Sequence, residues 1–245
     1  MSDLDAWAGA ALLVMAAGLL VVAALCGQSP VHARVVREGG TIFLPERVMQ
    51  AGYHWIDRLA ARATGLGLTA DAVSWISLAL GLAAGILAGA TWLGGAAWVL
   101  ALSGLGDGLD GAMARRQGTA SAAGAVLDSV LDRYVEFFYC AGLVVYFAGQ
   151  SLNQLVVLTA LFGGFMVTYS TAKAEALHLT PPRGWMKRPE RIVWLIAGSA
   201  VAAAARLGGW ASDPILLSVV GIIAVAANVS ALRRLRALAA AAAGR

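Results

Sequence analysis

Residues 72–106, AVSWISLALGLAAGILAGATWLGGAAWVLALSGLG, contain no charged side chain. The hydrocarbon core of a bilayer takes about 20 apolar residues per helical crossing, so this stretch suffices for one crossing and most of a second. Its apolar residues run on without the alternation that marks a barrel strand, which favours helices. The stretch therefore predicts a membrane protein built from helices, with a break at Thr91 and Trp92.

The rest of the chain has the same apolar character. Of the 245 residues of the full chain, 60% are hydrophobic and 13% are charged, and the mean hydropathy is +0.74. These values exclude a soluble globular protein and predict an all-α integral membrane protein. Apolar runs of about 20 residues predict seven spans, near residues 6–25, 72–90, 93–114, 121–149, 152–177, 191–207 and 214–232.

Basic residues occupy every second connection between these spans, and the alternate connections hold only Arg206. The positive-inside rule then predicts an N-terminus outside the cell and a C-terminus in the cytoplasm. The net charge of +4 fits loops that face anionic membrane lipid, so we expect no nucleic-acid partner. Cys26 and Cys140 stand far apart without a CxxC pattern, which predicts neither a disulfide nor a zinc site. Short loops and an Ala-rich composition suggest a prokaryotic inner (cytoplasmic) membrane.

The first 68 residues predict two segments that precede the remaining six spans. Residues 1–26 begin with Asp3 and Asp5 and without a basic residue, which predicts an anchor helix and not a cleaved signal peptide. Residues 27–68 are the one long polar segment, and an amphipathic juxtamembrane helix is predicted after Pro45. This helix would lie on the cytoplasmic leaflet or pack on the protein's own loops. Its apolar face would hold Val48, Gly52, Trp55, Ile56 and Leu59.

Five of the fourteen acidic residues fall between Asp107 and Glu136, within two predicted spans. A carboxylate at membrane depth costs roughly 3 kcal/mol on insertion scales, so this crowding indicates metal ions or a proton pathway. On helices, Asp107 and Asp110 share one face, as do Asp128 and Asp132. Two facing pairs of carboxylates suit Mg²⁺ or Mn²⁺, and two ions form a known device for phosphoryl-type displacement.

Glycines surround these aspartates at Gly108, Gly111 and Gly124. Because glycine has no side chain, each allows a nucleotide or a neighbouring helix to approach the backbone closely. Arg115, one turn beyond Gly111, can reach a phosphate at the cytoplasmic rim. The site is therefore predicted to face the cytoplasm.

Residues 107–132 resemble the signature of the CDP-alcohol phosphotransferases, also called CDP-alcohol phosphatidyltransferases. The signature is D-x-x-D-G-x-x-A-R, eight residues, then G-x-x-x-D-x-x-x-D, and this chain matches every fixed position. The resemblance covers residues 69–245 as a six-helix catalytic core, and the first span looks like an addition. Many members have Thr-Pro-Asn where this chain has Thr69-Ala70-Asp71. Thr69 can still cap the second span, with Asp71 in its first turn.

The resemblance implies an enzyme that moves the phosphatidyl group of CDP-diacylglycerol to a small polar alcohol and releases CMP. It implies that Asp107, Asp110 and Asp128 ligate metal, and that Asp132 is the general base and also touches the second of two ions. The implied CDP site includes Gly111, Arg115 and Gly124, with Gly108 beside them. Glu136 lies outside the signature. It can support the aspartates from one turn away, and a buried pair with Arg133 or another basic residue is the simpler interpretation for it.

The acceptor is predicted from two further segments, Ala172-Lys173-Ala174-Glu175 and Arg188-Pro189-Glu190-Arg191. They resemble the phosphatidylinositol phosphate synthase branch of the family. On that resemblance, Lys173, Arg188 and Arg191 hold the phosphate of inositol phosphate. The match departs at Thr171, where the branch usually has a basic residue, and Arg233 or Arg234 can supply another cation. Glycerol phosphate and serine, the acceptors of phosphatidylglycerophosphate and phosphatidylserine synthases, are the alternatives.

Two classes outside enzymes compete with this interpretation. A membrane transporter would place its charges near the midplane and often show internal repeats, whereas these aspartates lie near the cytoplasmic ends of their spans. A lipid-binding protein without activity would not need all four aspartates. Small residues such as those of 81–85 permit close helix packing, either within the chain or in a homodimer.

Overall fold

The computed structural model describes residues 2–25, 46–182 and 184–243, and over these ranges the chain is helical with no strand. Cys26 and the first part of the polar segment predicted at 27–68, through residue 45, lie outside the described residues. The helices are α1 (Ser2–Leu25), α2 (Glu46–Gly65), α3 (Ala70–Gly89), α4 (Leu93–Gln117), α5 (Ala122–Tyr146), α6 (Ser151–Ala176), α7 (Arg188–Ala204) and α8 (Ser212–Ala243). A 3-10 turn, Ala205–Gly208, extends α7.

Five of the seven predicted spans are long and apolar enough to cross a membrane, and they correspond to α1, α3, α6, α7 and α8. Helices α4 and α5 are also long, at 25 residues each. At 1.5 Å per residue, about 20 residues suffice to cross the hydrocarbon core. Helices α4 and α5 carry the motif carboxylates, and these charged groups lower the mean hydropathy of both helices. The all-helical membrane fold is confirmed, and the count of seven crossings stays a prediction.

Polar side chains define where the two helices that flank α4 begin. Thr69 accepts a hydrogen bond from the backbone N–H of Ala72 at 3.2 Å, so the predicted cap of α3 is confirmed. Ser121 caps α5 in the same way, and it accepts from the N–H of Gly124 at 3.1 Å. Between them, α4 ends at Gly118, whose φ of 68° is a backbone conformation that glycine adopts readily.

Helices α3 and α5 pack with their backbones in contact, because glycines face each other across the interface. A Cβ atom at Gly142 would overlap with the carbonyl oxygen of Gly85, and a Cβ at Gly85 would overlap with that of Phe138. Gly81, one turn earlier on α3, has no room for a side chain beside Val135. The small residues of 81–85 thus serve packing within the chain, one of the two uses predicted for them.

Helix α2 packs on the motif helix α4 through one face. Ile56, Ala60 and Ala63 form a cluster with Met113 of α4 and its neighbours. The other face leaves Trp55 58% exposed, with the guanidinium of Arg58 5.7 Å from the centre of its ring. The predicted amphipathic helix is therefore present, and it both contacts the protein and exposes apolar surface.

Helix α1 lies on α4 and α7 and is held there by a polar contact. Asp5 is 2% exposed, accepts a hydrogen bond from the N–H of Gly95 at 3.0 Å and pairs with Arg206 at 3.2 Å. Gly9 leaves space for the backbone of Ala200, since a Cβ there would come 2.6 Å from its oxygen. The first helix is thus packed against the helices that carry the candidate site.

Candidate active site

Four aspartates from two helices meet in one pocket. Asp107 and Asp110 lie on α4, and Asp128 and Asp132 lie on α5, at the spacings that put each pair on one helix face. Helix α3 closes one side of the pocket and the start of α7 closes another. The pocket is lined by Ser74, Ser77, Leu78, Ser103, Asp107, Asp110, Asp128, Leu131, Asp132, Val135 and Arg188.

Three of these carboxylates are close enough to share a cation. Asp107, Asp128 and Asp132 each offer an oxygen, and these oxygens lie within 4.8 Å of one another. Carboxylate oxygens are hard ligands that suit Mg²⁺ and Mn²⁺, so the donor set fits the metals predicted from the sequence. Asp128 is exposed, while Asp107 and Asp132 are partly buried. The cluster therefore has one open side.

Asp110 lines the same pocket but is fixed by different contacts. It is 6% exposed and accepts a 2.5 Å hydrogen bond from the hydroxyl of Ser74, besides one from the N–H of Gly111. Ser74 was not predicted as a site residue from the sequence. Ser74 and Ser77 are polar positions one turn apart on the otherwise apolar face of α3. That pattern was the available signal for a partner to a buried carboxylate.

Arg188 reaches two of the aspartates from the first residue of α7. Its Nη1 lies 3.0 Å from Oδ2 of Asp107, and its Nη2 lies 2.7 Å from Oδ1 of Asp132. The Nε atom of Arg188 is buried without a hydrogen-bond partner among the described residues. This candidate acceptor ligand thus stands directly beside the candidate base.

The motif glycines have two kinds of surroundings. A Cβ at Gly108 would come 3.1 Å from Cδ1 of Ile56, so Gly108 makes room for α2. Gly111 and Gly124 have no side chain or backbone of another helix within 4 Å of a Cβ position. Their backbones are open to a ligand, and Arg115, which is exposed, lies beside Gly111.

Arg191 has a different environment from the one predicted for an acceptor ligand. It is 1% exposed, and its Nε and Nη2 bind the two carboxylate oxygens of Glu136 at 2.6 Å each. Its Nη1 donates to the carbonyl of Met186 at 2.7 Å. The buried pair expected for Glu136 is present, with Arg191 and not Arg133 as its partner; Arg133 donates to the carbonyl of Ser129. This geometry does not favour Arg191 as a direct phosphate ligand.

Helix α8 supplies the additional cation whose position could not be predicted from the sequence. Arg234 on α8 is 4% exposed, and its Nη2 donates to the hydroxyl of Thr171 at 2.5 Å. Thr171 is the position at which the related branch usually has a basic residue, so Arg234 brings a positive charge there. The Nε of Arg234 is buried without a partner in the described part of the chain. Lys173, two residues after Thr171, is exposed.

The family is decided by the extent of the match around this pocket. Residues 67–230 match the profile of the CDP-alcohol phosphatidyltransferase family. The chain belongs to this family. The resemblance drawn from the aspartate motif is therefore confirmed, and the chain is a divalent-metal-dependent transferase of phospholipid biosynthesis.

Several characterised proteins are similar to this CDP-alcohol phosphatidyltransferase. The phosphatidylinositol phosphate synthase of Mycobacteroides abscessus is 33% identical over 187 residues, which are 74% of this chain and 81% of that protein. The archaetidylinositol phosphate synthase of Methanothermobacter thermautotrophicus is 41% identical over 143 residues, 58% of this chain and 68% of that one.

Crystal structures of the Mycobacterium tuberculosis phosphatidylinositol phosphate synthase share the fold. The complex with manganese and citrate aligns with a TM-score of 0.68 at 29% identity and covers 75% of this chain and 88% of that chain. The structure with CDP-DAG bound aligns with a TM-score of 0.67 at 28% identity, covering 75% and 92%. Metal and a CDP-linked lipid are thus both bound by a protein of this architecture.

Proposed function

We propose that this enzyme transfers the phosphatidyl group of CDP-diacylglycerol to inositol phosphate and releases CMP. The observation that carries the acceptor is a pair of arginines, partly buried Arg188 and buried Arg234, each with a buried Nε that lacks a hydrogen-bond partner within the described residues. A guanidinium presents planar paired donors that match the oxygens of a phosphate. A phosphate on the acceptor offers three oxygens to these donors, whereas serine offers only the two of its carboxylate and free inositol carries no anionic group.

The names of the similar proteins support the same acceptor. The phosphatidylinositol phosphate and archaetidylinositol phosphate synthases differ in the lipid that their names specify, and both names specify inositol phosphate as the group added. The shared acceptor favours inositol phosphate over glycerol phosphate for this chain. The donor lipid is proposed as CDP-diacylglycerol because the CDP-DAG-bound relative has the same fold.

The four aspartates would hold the metal, proposed as two ions of Mg²⁺ or Mn²⁺, with Asp107, Asp110, Asp128 and Asp132 as ligands. Bound there, the ions supply positive charge that stabilises the diphosphate and the departing CMP. Gly108, Gly111, Arg115 and Gly124 would bind the CDP part, for which the open backbones of Gly111 and Gly124 leave room.

Asp132 would take the proton from the attacking hydroxyl of inositol phosphate. The hydroxyl oxygen then bonds to the phosphorus next to the diacylglycerol, and the bond from that phosphorus to CMP breaks. Arg188 is 2.7 Å from Asp132 and would hold the acceptor phosphate so that the hydroxyl faces this base. Lys173 and Arg234 would add charge at the same end of the bundle.

CMP release by the purified protein tests the proposal. We would supply CDP-diacylglycerol and Mg²⁺ with inositol phosphate, inositol, glycerol phosphate, serine or no acceptor. Turnover with inositol phosphate well above the other acceptors is expected. A preference for glycerol phosphate would keep the cationic pocket and change the acceptor, whereas a preference for serine or inositol would reject the pocket.

The same proposal includes the location of the site. Placing the N-terminus outside and the aspartates at the cytoplasmic side of a prokaryotic inner membrane gives the enzyme access to cytoplasmic inositol phosphate. Reporter fusions at the two termini test this orientation. A homodimer is part of the proposal on the family resemblance alone, and the mass of the protein in detergent tests it.

A further inference from the structure

The Glu136–Arg191 pair is the most completely enclosed ion pair of the described residues, at 3% and 1% exposure. Breaking such a pair leaves a buried charge, yet the pair itself adds little net stability, because both groups lose their hydration. Gly164 of α6 covers it, and a Cβ there would come 2.7 Å from Nε of Arg191 and 2.9 Å from Oε1 of Glu136. The fold therefore keeps a dedicated space for this pair.

Arg191 also holds the turn that precedes α7. Its remaining donor, Nη1, binds the carbonyl of Met186, a residue with φ of 57°. A non-glycine residue keeps such a conformation only when its surroundings fix it. The next residue, Lys187, donates its N–H to Glu190 at 3.1 Å. Arg191 and Glu190 together fix the backbone on which Arg188 begins the helix.

Two ion-pair contacts, an inner link and an outer link, connect α5 and α7 on successive helical turns. Asp132 and Glu136 are one turn apart on α5, and Arg188 and Arg191 are one turn apart on α7. The inner link, Glu136 to Arg191, is buried and bidentate. The outer link, Arg188 to Asp132 and Asp107, is partly exposed and lies in the pocket. The inner link thus fixes the position of α7 along α5 at which the outer link forms.

We propose that Glu136 and Arg191 are positioning residues for Arg188, fixing the Met186 turn and the start of α7 so that the Arg188 guanidinium meets the acceptor phosphate. The proposal rests on the proposed function, in which Arg188 binds that phosphate. It replaces a direct acceptor role for Arg191. Neither positioning residue touches the substrate, so their effect is on acceptor binding through Arg188.

The test is a steady-state comparison of Glu136→Gln with wild type, using CMP release at varied inositol phosphate and at varied CDP-diacylglycerol. We expect the KM for inositol phosphate to rise roughly tenfold, the size of effect of losing one charged hydrogen bond. The KM for CDP-diacylglycerol should stay within about twofold, because the proposed CDP site does not include Arg188. Arg191→Lys keeps a cation beside Glu136 but cannot also hold the Met186 carbonyl. The melting temperature of Arg191→Lys should therefore stay near that of wild type, while its KM for inositol phosphate rises as in Glu136→Gln.

The matched control is Asp5→Asn, which makes the same acid-to-amide change at a buried aspartate paired with a partly exposed arginine, between α1 and the turn after α7. It should lower the melting temperature and leave both KM values unchanged. An unchanged acceptor KM in Glu136→Gln would overturn the proposal, since the pair would then be structural only. A lower KM would also overturn it, because a released Arg191 would be binding phosphate directly.

Two further outcomes stay interpretable. If Glu136→Gln does not yield folded protein, Arg191→Lys decides, and an acceptor KM equal to wild type in that variant refutes the positioning role. If wild type uses an acceptor other than inositol phosphate, the proposed function fails before any variant is compared. The same KM comparison with the acceptor that is used then decides the positioning role separately.

Discussion

Asp132 has two kinds of neighbour: it belongs to the three-aspartate cluster, and its carboxylate lies 2.7 Å from Arg188. Asp132→Asn keeps the size of the side chain and removes its ability to take a proton. We expect CMP release to fall by roughly 10² to 10⁴, the usual contribution of a general base. CDP should still raise the melting temperature, which shows that the nucleotide binds. Asp71→Asn, in the exposed first turn of α3, is the control. Normal turnover in Asp132→Asn would remove its role as the base.

Ser74 orients Asp110 through the 2.5 Å hydrogen bond between their side chains. Partners of this kind that hold a metal ligand typically change metal affinity by about 10- to 100-fold when removed. Ser74→Ala should therefore raise the Mg²⁺ or Mn²⁺ concentration needed for half-maximal activity within that range. The metal-dependent rise in melting temperature should shift in parallel. Ser77→Ala is the matched control, because the Ser77 hydroxyl bonds to the Val73 carbonyl of its own helix. Equal metal dependence in both variants would contradict the role given to Ser74.

The aspartates could be predicted from the sequence because their spacing along two helices decides which face they share. The partners could not be predicted in the same way. Ser74 meets Asp110 across 36 residues, and Arg191 meets Glu136 across 55, so both contacts depend on how helices pack. Arg191 was expected at the acceptor because it is basic and near Arg188, but two positions three residues apart differ here in burial.

At the scale of helices, length and hydropathy predicted most elements, and the beginning of α3 followed from Thr69, whereas the cap of α5 by Ser121 was not predicted. The contact face of α2 was harder to predict. Its apolar face was expected to include Trp55, Ile56 and Leu59. Of these, Ile56 packs on α4 and is partly buried, whereas Trp55 and Leu59 are exposed, and the buried residues are Ala60 and Ala63. Alanines fit against α4 because the backbones approach closely, whereas hydrophobicity alone assigns the larger side chains to a buried face.

The contact between α3 and α5 makes a prediction about small residues. Gly142→Ala places a methyl group where the carbonyl of Gly85 lies, so α5 must move away from α3. Because α5 carries two of the aspartates, we expect both a lower melting temperature and weaker metal-dependent activity. Gly221→Ala on α8 is the control, since nothing lies within 4 Å of its Cβ position, and it should melt like wild type. Wild-type stability in Gly142→Ala would show that the two backbones can separate without cost.

On the scale of the whole molecule, the first helix is joined to the catalytic helices although the family match begins only at residue 67. Asp5 and Arg206 are 201 residues apart in sequence, and their pair lies at the ends of α4 and α7 opposite to the aspartates. Helix α1 therefore connects α4 and α7 at the end of the bundle opposite to the aspartates. Trp98 strengthens this contact by donating to the carbonyl of Ala8 at 2.9 Å.

A double-mutant cycle on this pair tests whether α1 stabilises the catalytic helices. Removing one partner of a fully buried pair typically costs about 3 to 5 kcal/mol, and the loss here should be smaller because Arg206 is 24% exposed. Replacing both partners with apolar residues is often neutral. Asp5→Leu and Arg206→Leu should each lower the melting temperature of the detergent-solubilised protein, and the double variant should melt above the poorer single variant. Additive losses would mean that the two residues act independently. In that case α1 would be held mainly by the close packing at Gly9 and Gly94, where added methyl groups would meet backbone atoms of the adjacent helices.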